Sequence, residues 1–222
     1  MPYLLDEAQL AFPHPRLADE DGLLAIGGDL SEERLLLAYQ NGIFPWYDED
    51  TPILWYSPHE RFVILKGNLK ISKSMRQVLR SKRFQVTYNQ AFEQVIDQCA
   101  RIVREGQQGT WILPEMKAAY ISLHEHGYAH SVEVWEQDQL VGGLYGVKVG
   151  NVFGGESMFS KVSNASKVAL ISLAEDFGIS LIDCQVHSAH LESMGATLIP
   201  QEEFLAIIQQ QEINAYDFQR SL

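Results

Sequence analysis

The segment from residue 130 to residue 159 constrains the fold of this chain most strongly. It reads HSVEVWEQDQLVGGLYGVKVGNVFGGESMF, in which apolar and polar residues alternate and turn-forming residues occur at 136–139 and 148–151. Alternation with a period of two is typical of half-buried strands, and the two turns divide the segment into three parts. The sequence therefore predicts a three-stranded antiparallel meander.

Helical patterns surround this meander. Helix starts are predicted at Ser31, Ser72, Asn89 and Pro114, which are favourable residues at a helix N-terminus. Helices that flank a mostly antiparallel sheet define an α+β fold, a mixed α/β class. The other predicted elements are the strands FQVTY, LIDCQV and TLIP, the capped amphipathic helix SNASKVALISLAEDFG, and the helices HLESMG and EEFLAIIQQQ.

The first 60 residues differ in character from the rest of the chain. They are rich in turn signals, as in FPHP, GLLAIGGDLS and FPWYDEDTP, which predicts a compact but irregular subdomain. The charge character changes near Pro58–Arg61. We therefore expect a small N-terminal α/β domain at residues 1–62 and a larger domain at residues 63–222.

Composition limits the cellular setting. The chain has 222 residues, 46% of them hydrophobic, and lacks the run of about 18 apolar residues that a membrane span needs. Its start, MPYLLDEAQL, is unlike a signal peptide, and two cysteines are too few for a disulfide framework. We therefore expect a cytoplasmic protein that does not contact membranes.

Positive charge is concentrated in one segment of an acidic chain. The net charge is −12, yet residues 61–83 hold 8 basic residues and no acidic one. Lys73, Arg76 and Arg80 are spaced to share one face of a predicted helix. A solvated helix face is the ordinary explanation, whereas contact with a phosphate backbone is the functional alternative.

Glu156 is a candidate site residue because it follows two glycines in VFGGESMF. Gly154 and Gly155 weaken a strand but permit a bulge or the close approach of a ligand. The segment is consistent with a bulge at a sheet edge that carries a solvated glutamate. It is equally consistent with a carboxylate that orients a cationic substrate or a reacting amine.

Asp183 and Gln185 are a second candidate pair. If LIDCQV is a strand, both side chains lie on one face, whereas Ile182 and Cys184 lie on the other. The pair either caps a neighbouring loop or enters a cleft at the strand end. In the second case, Asp183 would accept a hydrogen bond from the Gln185 amide, whose oxygen could hold an attacking amine. Cys184 is expected to be a small buried residue.

Three tryptophans are candidate stacking platforms for a nucleobase, although core packing is the usual fate of tryptophan. They are Trp46, Trp55 and Trp111, of which Trp46 is the most suggestive because it follows Pro45 in a turn-rich loop.

Metal and nucleotide cofactors are not expected. His124, His126 and His130 are close in sequence, but Gly127 interrupts any helical register among them. The glycine pairs at 27–28 and 142–143 lack the spacing of phosphate-binding loops, which argues against ATP, GTP and NAD.

Several stretches of the chain together resemble the leucyl/phenylalanyl-tRNA–protein transferase family. They extend from about Phe12 to Phe204, and the most specific are WEQDQLVGGLYG and GESMFS. The others are GLLAIGGDLS, LLAYQNGIFPWY, ILWYSP, GTWI, AYISLHEHGYAHSVEVW, NASKVAL and LIDCQVHSAHLESMGA.

This resemblance implies an enzyme that moves leucine or phenylalanine from its tRNA to the N-terminal α-amine of proteins beginning with Arg or Lys. The product would be marked for degradation by the N-end rule pathway. The resemblance also implies a GNAT-like acyltransferase fold for residues 63–222 and no metal or nucleotide cofactor. We expect a monomer. The alternatives are another GNAT-like acyltransferase or a non-catalytic tRNA-binding module.

The resemblance assigns roles to individual residues. Asp183 and Gln185 would align the acceptor amine, and Glu156 would anchor the cationic acceptor end. Trp46 and Trp111 would stack on the terminal adenosine. The donor side chain would enter a pocket of Leu144, Phe153, Met158, Leu170, Leu173 and Ile182. The tRNA backbone would contact Lys70, Lys73, Arg76, Arg80, Lys82 and Arg83.

Overall fold

The computed structural model of the chain describes residues 1–102, 110 and 112–211. Its strands form two sheets. The smaller sheet contains β1 (Tyr3–Leu5), β2 (Leu23–Gly27), β3 (Phe44–Pro45) and β4 (Leu54–Tyr56). The larger sheet contains β5 (Glu60–Leu65), β6 (Gln85–Tyr88), β7 (Ala129–Glu136), β8 (Gln139–Val149), β9 (Val152–Ser160), β10 (Leu181–Asp183) and β11 (Thr197–Pro200). The α-helices are α1 (Glu32–Gln40), α2 (Lys73–Arg80), α3 (Phe92–Ala100), α4 (Pro114–Glu125), α5 (Ala165–Asp176), α6 (Ala189–Ser193) and α7 (Gln201–Ile208).

The larger sheet is mostly antiparallel. Its seven strands lie in the order β11-β5-β10-β9-β8-β7-β6, and within this sheet, as far as it is described, β9 and β10 are the one parallel pair. The meander predicted for residues 130–159 is confirmed as β7, β8 and β9. The α+β class, with helices flanking a mostly antiparallel sheet, is therefore confirmed.

The helices cover both faces of the larger sheet. On one face, Phe92 of α3 and Tyr120 of α4 share an apolar cluster with Tyr145 of β8. On the other face, α5 packs on β7, β8 and β9. None of the helices in the described part of the chain has both the length and the apolar character that a membrane crossing requires.

Helix α5 is not the amphipathic helix that the sequence predicts. The buried residues of α5 occur on all sides of the helix. They pack in an apolar cluster with strand residues, with Met75 of α2 and with Met194 after α6. Asn164 precedes it at a positive φ of 74° and makes no capping hydrogen bond through its side chain. The expected N-cap is therefore also wrong.

The N-terminal region contains a four-stranded sheet that the turn signals did not predict. At its centre Trp55 is fully buried, and its indole N–H donates to the Gly27 carbonyl oxygen at 2.8 Å. Trp55 is thus a core residue rather than a stacking platform. The core of this small sheet is continuous with that of the larger one. Strand β5 spans the boundary predicted between residues 62 and 63, and that boundary stays a prediction.

Two predicted caps have different outcomes. The Ser72 hydroxyl accepts the Met75 amide N–H at 3.1 Å and caps α2 as expected. Asn89 does not begin α3, which starts at Phe92. Instead, Asn89 adopts a left-handed conformation, and its side-chain oxygen accepts the Ser131 amide N–H of β7 at 3.0 Å.

A bulge between β8 and β9 positions Glu156. The register changes from Tyr145 opposite Ser157 to Gly146 opposite Gly155, so that Glu156 is the extra residue. Strands β8 and β9 are so close here that a Cβ at position 146 would lie 2.0 Å from the Gly154 carbonyl oxygen. Only glycine fits this position.

We expect Gly146→Ala to lower the free energy of unfolding by about 3 kcal/mol, the upper end of the usual cost of overpacking, because a backbone oxygen cannot move aside. Urea unfolding measures this change. Gly67→Ala is the control, because a Cβ there meets nothing within 4 Å. Equal stabilities of the two variants would contradict the close approach of β8 and β9.

Candidate active site

A cavity of about 400 Å³ opens where β9 and β10 separate. The two parallel strands pair over three residues, from Leu181 opposite Val152 to Asp183 opposite Gly154. Strand β10 then ends, whereas β9 continues to Ser160. Ligand sites of open sheets commonly lie beyond the carboxyl ends of parallel strands, and this cavity occupies such a position.

The cavity brings together most of the residues singled out from the sequence. All six predicted pocket residues line it, together with Asp183, Gln185, Glu156 and Trp46. The six are Leu144, Phe153, Met158, Leu170, Leu173 and Ile182. Further lining residues come from the loop after β10 and from α6. The result is a mainly apolar chamber with a small polar group at one end.

The chain turns sharply after Asp183. Gln185 has a positive φ of 64°, and its backbone N–H donates to Asp183 Oδ1 at 2.9 Å. The strand predicted over 181–186 therefore stops at Asp183, and the expected alternation of faces beyond that point is wrong. Ile182 and Asp183 both line the cavity, although they are adjacent in the strand.

Asp183 forms a bidentate ion pair in the protein interior. Its two carboxylate oxygens accept hydrogen bonds from Arg61 Nε and Nη2 at 2.8 and 2.6 Å. Both side chains are buried. The expected hydrogen bond from the Gln185 side-chain amide to Asp183 is wrong, because Asp183 accepts from the Gln185 backbone N–H and from the Arg61 guanidinium instead. The sequence does not single out Arg61, because it is one of the eight basic residues in the segment 61–83.

The side-chain partner of Gln185 is Glu156. The amide Nε2 of Gln185 donates to Glu156 Oε1 at 2.8 Å, and the Tyr120 hydroxyl donates to Glu156 Oε2 at 3.0 Å. The Tyr120 hydroxyl also contacts the buried Tyr39 hydroxyl. Because the Gln185 Nε2 occupies this bond, the amide oxygen on the other side of the same group faces away from Glu156. The bulge that the two glycines permit is present, but the alternative of a solvated glutamate at a sheet edge is wrong, since β9 is an inner strand and Glu156 is buried.

Burial dominates the electrostatics of Glu156. Loss of solvation raises the pKa of Glu156 to about 7, hydrogen bonds from Tyr39, Tyr120 and Gln185 oppose this rise, and the charge of Asp183 adds to it. This carboxyl group therefore changes charge near neutral pH.

Cys184 lines the cavity and is partly buried as a residue, so the expected small buried residue is confirmed only in part. Burial of the sulfur nevertheless raises the pKa of the Cys184 thiol, which keeps it protonated at neutral pH. This is the opposite of what a thiol nucleophile requires.

The three histidines near residue 127 serve separate contacts. His124 stacks on Phe92, and His126 pairs with Glu32. Buried His130 contacts the Asn89 side chain. Within residues 1–102, 110 and 112–211, no group of three or more His, Cys, Asp or Glu side chains could hold a metal ion.

Trp46 and Trp111 are the two tryptophans expected to stack on the terminal adenosine. Trp46 lies at the cavity wall with 42% of its surface exposed. It packs against Tyr56 with ring centroids 5.7 Å apart. Trp111 lies outside the described residues. One exposed aromatic face is therefore present beside the cavity.

The predicted tRNA-binding residues form an exposed surface. Arg83 is engaged there in an ion pair with Glu136 at 2.7 Å. The segment before α2 joins the cavity wall, because the Lys70 N–H donates to the Met194 carbonyl oxygen directly after α6 at 2.8 Å. The exposed basic side chains in addition to Arg83 are Lys70, Lys73, Arg76, Arg80 and Lys82.

Comparisons with known proteins agree with the sequence resemblance. A family model described as leucyl/phenylalanyl-tRNA protein transferase matches residues 63–209, and one for the N-terminal domain of that transferase matches residues 28–59. A leucyl/phenylalanyl-tRNA–protein transferase from Flavobacterium johnsoniae is 57% identical over 202 residues, which are 90% of this chain and 95% of the relative. One from Hydrogenovibrio crunogenus is 52% identical over 215 residues, 95% of this chain and 84% of the relative.

Similar solved structures are more distant. A GCN5-related N-acetyltransferase from Kribbella flavida has a TM-score of 0.38 and 8% identity, over 75% of this chain and 59% of that one. L-PGS from Bacillus licheniformis has a TM-score of 0.36 and 14% identity, over 77% and 56%.

We expect Glu156→Gln to gain stability relative to the native chain as pH rises from 5 to 8. The native state keeps the Glu156 proton up to a pKa of about 7, whereas the unfolded chain releases it near its ordinary value. The native state therefore binds more protons in this window, and its stability falls with rising pH. The gain should be on the order of 3 kcal/mol, since each pKa unit corresponds to about 1.4 kcal/mol.

Urea unfolding of both proteins at the two pH values measures this gain. Glu203→Gln removes an exposed carboxylate of α7 and is the control for the loss of one charge. A stability difference between Glu156→Gln and the native chain that does not change with pH would contradict a Glu156 carboxyl that stays protonated to near neutral pH.

Proposed function

Because the chain belongs to the leucyl/phenylalanyl-tRNA–protein transferase family, we propose that its aminoacyl transfer takes place in the cavity between β9 and β10. The enzyme is an aminoacyltransferase that uses an aminoacyl-tRNA and a protein as substrates. We further propose which residues perform the transfer and that acceptors beginning with Arg or Lys are preferred.

The proposal rests on the orientation of the Gln185 side chain. Glu156 holds the amide Nε2, so the amide oxygen is directed elsewhere, and Gln185 lines the cavity. In the proposed mechanism this oxygen accepts an N–H of the acceptor α-amine and aligns the nitrogen lone pair on the ester carbonyl. Asp183 acts through the backbone N–H of Gln185, which fixes the turn that carries this side chain. Such alignment supplies much of the rate of a two-substrate reaction.

The chemistry balances without an added cofactor. The neutral amine attacks the carbonyl carbon of the aminoacyl ester, and the bond from that carbon to the ribose oxygen breaks. The proton that the amine loses balances the proton that the ribose oxygen gains. Because an ester is an activated acyl donor, amide formation needs no ATP.

The apolar end of the cavity suits the donor side chain. Leu144, Phe153, Met158, Leu170, Leu173 and Ile182 supply aliphatic and aromatic surface around it. We assign this end to the leucine or phenylalanine side chain. Because one methylene group changes binding by only about 1–3 kcal/mol, the shape of this end must exclude side chains branched at Cβ.

The charge of Glu156 supports a cationic acceptor. The charge of Asp183 is matched by Arg61, whereas no described residue of the cavity lining offers Glu156 a cationic ion-pair partner. In its ionised form Glu156 would attract an N-terminal Arg or Lys, and such a cation would in turn favour the ionised form. In this mechanism Glu156 has two functions, because it also orients Gln185.

The remaining proposed contacts are those between the tRNA part of the donor and residues around the cavity. The terminal adenosine would stack on Trp46, and on Trp111, whose position lies outside the described residues. The acceptor stem would lie on Lys70, Lys73, Arg76, Arg80 and Lys82, which contact phosphates and read little sequence. Arg83 is engaged with Glu136, so we place it at the margin of this surface. A cytoplasmic monomer without membrane contact, acting in the N-end rule pathway, stays a prediction.

The test of this function is transfer of radiolabelled phenylalanine from Phe-tRNA to a peptide beginning with Arg, compared with one beginning with Ala. We expect transfer to the first peptide and little to the second. An acyl-CoA-dependent enzyme or a non-catalytic tRNA-binding module would transfer nothing in this assay, and that result would reject the function.

In the same assay we expect Gln185→Ala to lower kcat about 100-fold with little change in Phe-tRNA affinity, since the amine loses its alignment. Gln209→Ala removes an exposed glutamine just after α7, outside the cavity lining, and is the matched control. Equal kcat values for the two variants would remove Gln185 from the mechanism.

We expect Arg76→Glu to raise the KM for Phe-tRNA about tenfold at low salt, because one phosphate contact is replaced by repulsion, and to lose most of this effect at high salt. Arg16→Glu reverses an exposed charge of the small domain and is the matched control. The acceptor KM should not change in either variant. The same KM for Phe-tRNA in both variants would show that α2 does not bind the donor.

A further inference from the structure

Arg61 belongs to the basic segment by sequence but not by position. It is 2% exposed, and each of its guanidinium nitrogens has a partner. Nε and Nη2 donate to Asp183, and Nη1 donates to the Gly42 carbonyl oxygen at 3.1 Å. The proposed tRNA surface therefore cannot include this arginine.

Two aromatic rings enclose the Arg61 guanidinium. Its central carbon lies 4.6 Å from the Phe44 ring centroid and 4.7 Å from the Phe204 ring centroid. Phe44 belongs to β3 of the small sheet, and Phe204 belongs to α7 near the end of the chain. One side chain thus connects three parts of the molecule that are distant in sequence.

The partners of Arg61 belong to two walls of the cavity. Asp183 begins the turn that presents Gln185 on one wall. Phe44 lies on another wall and continues into Pro45 and Trp46, which also line the cavity. The distance between the proposed amine site and the proposed adenosine platform therefore depends on Arg61.

We propose that Arg61 is a positioning residue for aminoacyl transfer, which holds the Asp183–Gln185 turn and the Phe44–Trp46 segment in register with each other. This inference rests on the proposed function, because it assumes that the two segments bind the two substrates. Arg61 contacts neither substrate. It acts by fixing where the amine and the ester carbonyl meet.

A lysine cannot replace these contacts. Arginine presents a planar fork that binds both carboxylate oxygens while its faces stack on rings, whereas lysine supplies a single point charge. Arg61→Lys should therefore keep a positive charge beside Asp183 but lose the bidentate geometry and the stacking between Phe44 and Phe204. This variant separates the positioning role from the neutralisation of charge.

A second buried arginine provides a matched control. Arg34 is 1% exposed in the small domain, pairs with Asp29 at 3.2 Å and lies 6.0 Å from the Phe12 ring centroid. It does not line the cavity. Arg34→Lys should lower thermal stability in the same way as Arg61→Lys without affecting the alignment of substrates.

The test measures kcat and KM with Phe-tRNA and a peptide beginning with Arg, well below the melting temperature of each variant. We expect kcat at saturation to fall about 100-fold in Arg61→Lys and less than about threefold in Arg34→Lys, at similar losses of melting temperature. Equal kcat values in the two variants would reduce Arg61 to a stabilising residue and overturn the inference. No transfer by the native chain would instead reject the proposed function.

A second pair of variants applies if Arg61→Lys does not fold. Phe204→Leu removes one of the two stacking rings outside the cavity lining, and Phe12→Leu makes the same change beside Arg34. We expect kcat to fall about tenfold in Phe204→Leu and to stay near the native value in Phe12→Leu. Equal kcat values in this pair would also overturn the inference.

Discussion

A buried ion pair between Arg61 and Asp183 holds the functional region of this protein together. An unpaired charge at either position would be costly, so each side chain requires the other. The pair joins β5 to the end of β10, and the free hydrogen-bonding capacity of Asp183 Oδ1 is used by the Gln185 backbone N–H. Arg61 and Asp183 are 122 positions apart in the sequence, and their contact thus determines the local turn that gives the cavity its polar end.

A different structural constraint, the close approach of β8 and β9, places Glu156 in this cavity. The close approach of β8 and β9 at Gly146 leaves one residue extra, and the resulting bulge turns Glu156 into the interior. There the carboxyl group loses its hydration, but hydrogen bonds from Tyr120 and Gln185 partly compensate for it. The opposing effects bring its pKa close to neutrality. The group that orients the proposed amine-binding side chain can therefore also respond to the charge of an acceptor.

Local signals account for what the sequence predicts correctly. The meander has two clear turns, α2 has a serine cap, and α4 begins at Pro114. The four-stranded sheet was not predicted because strands such as Phe44–Pro45 are too short to show periodicity, and their partners are distant in sequence. The end of β10 was misplaced because the left-handed conformation of Gln185 depends on Asp183. The family resemblance named residues that the fold brings to one cavity, whereas the contacts of Arg61 with Asp183, Phe44 and Phe204 are tertiary and leave no local signal in the sequence.

The central claim is that Gln185 aligns an acceptor amine beside a donor held in the cavity. A crystal structure with a puromycin-like mimic of the aminoacyl-tRNA end tests this claim most directly. The account predicts electron density for its aromatic side chain among Leu144, Leu170 and Ile182, its base on Trp46, and its carbonyl carbon within reach of a nucleophile bound to Gln185. Density for the mimic away from Gln185 and Glu156 would contradict the claim.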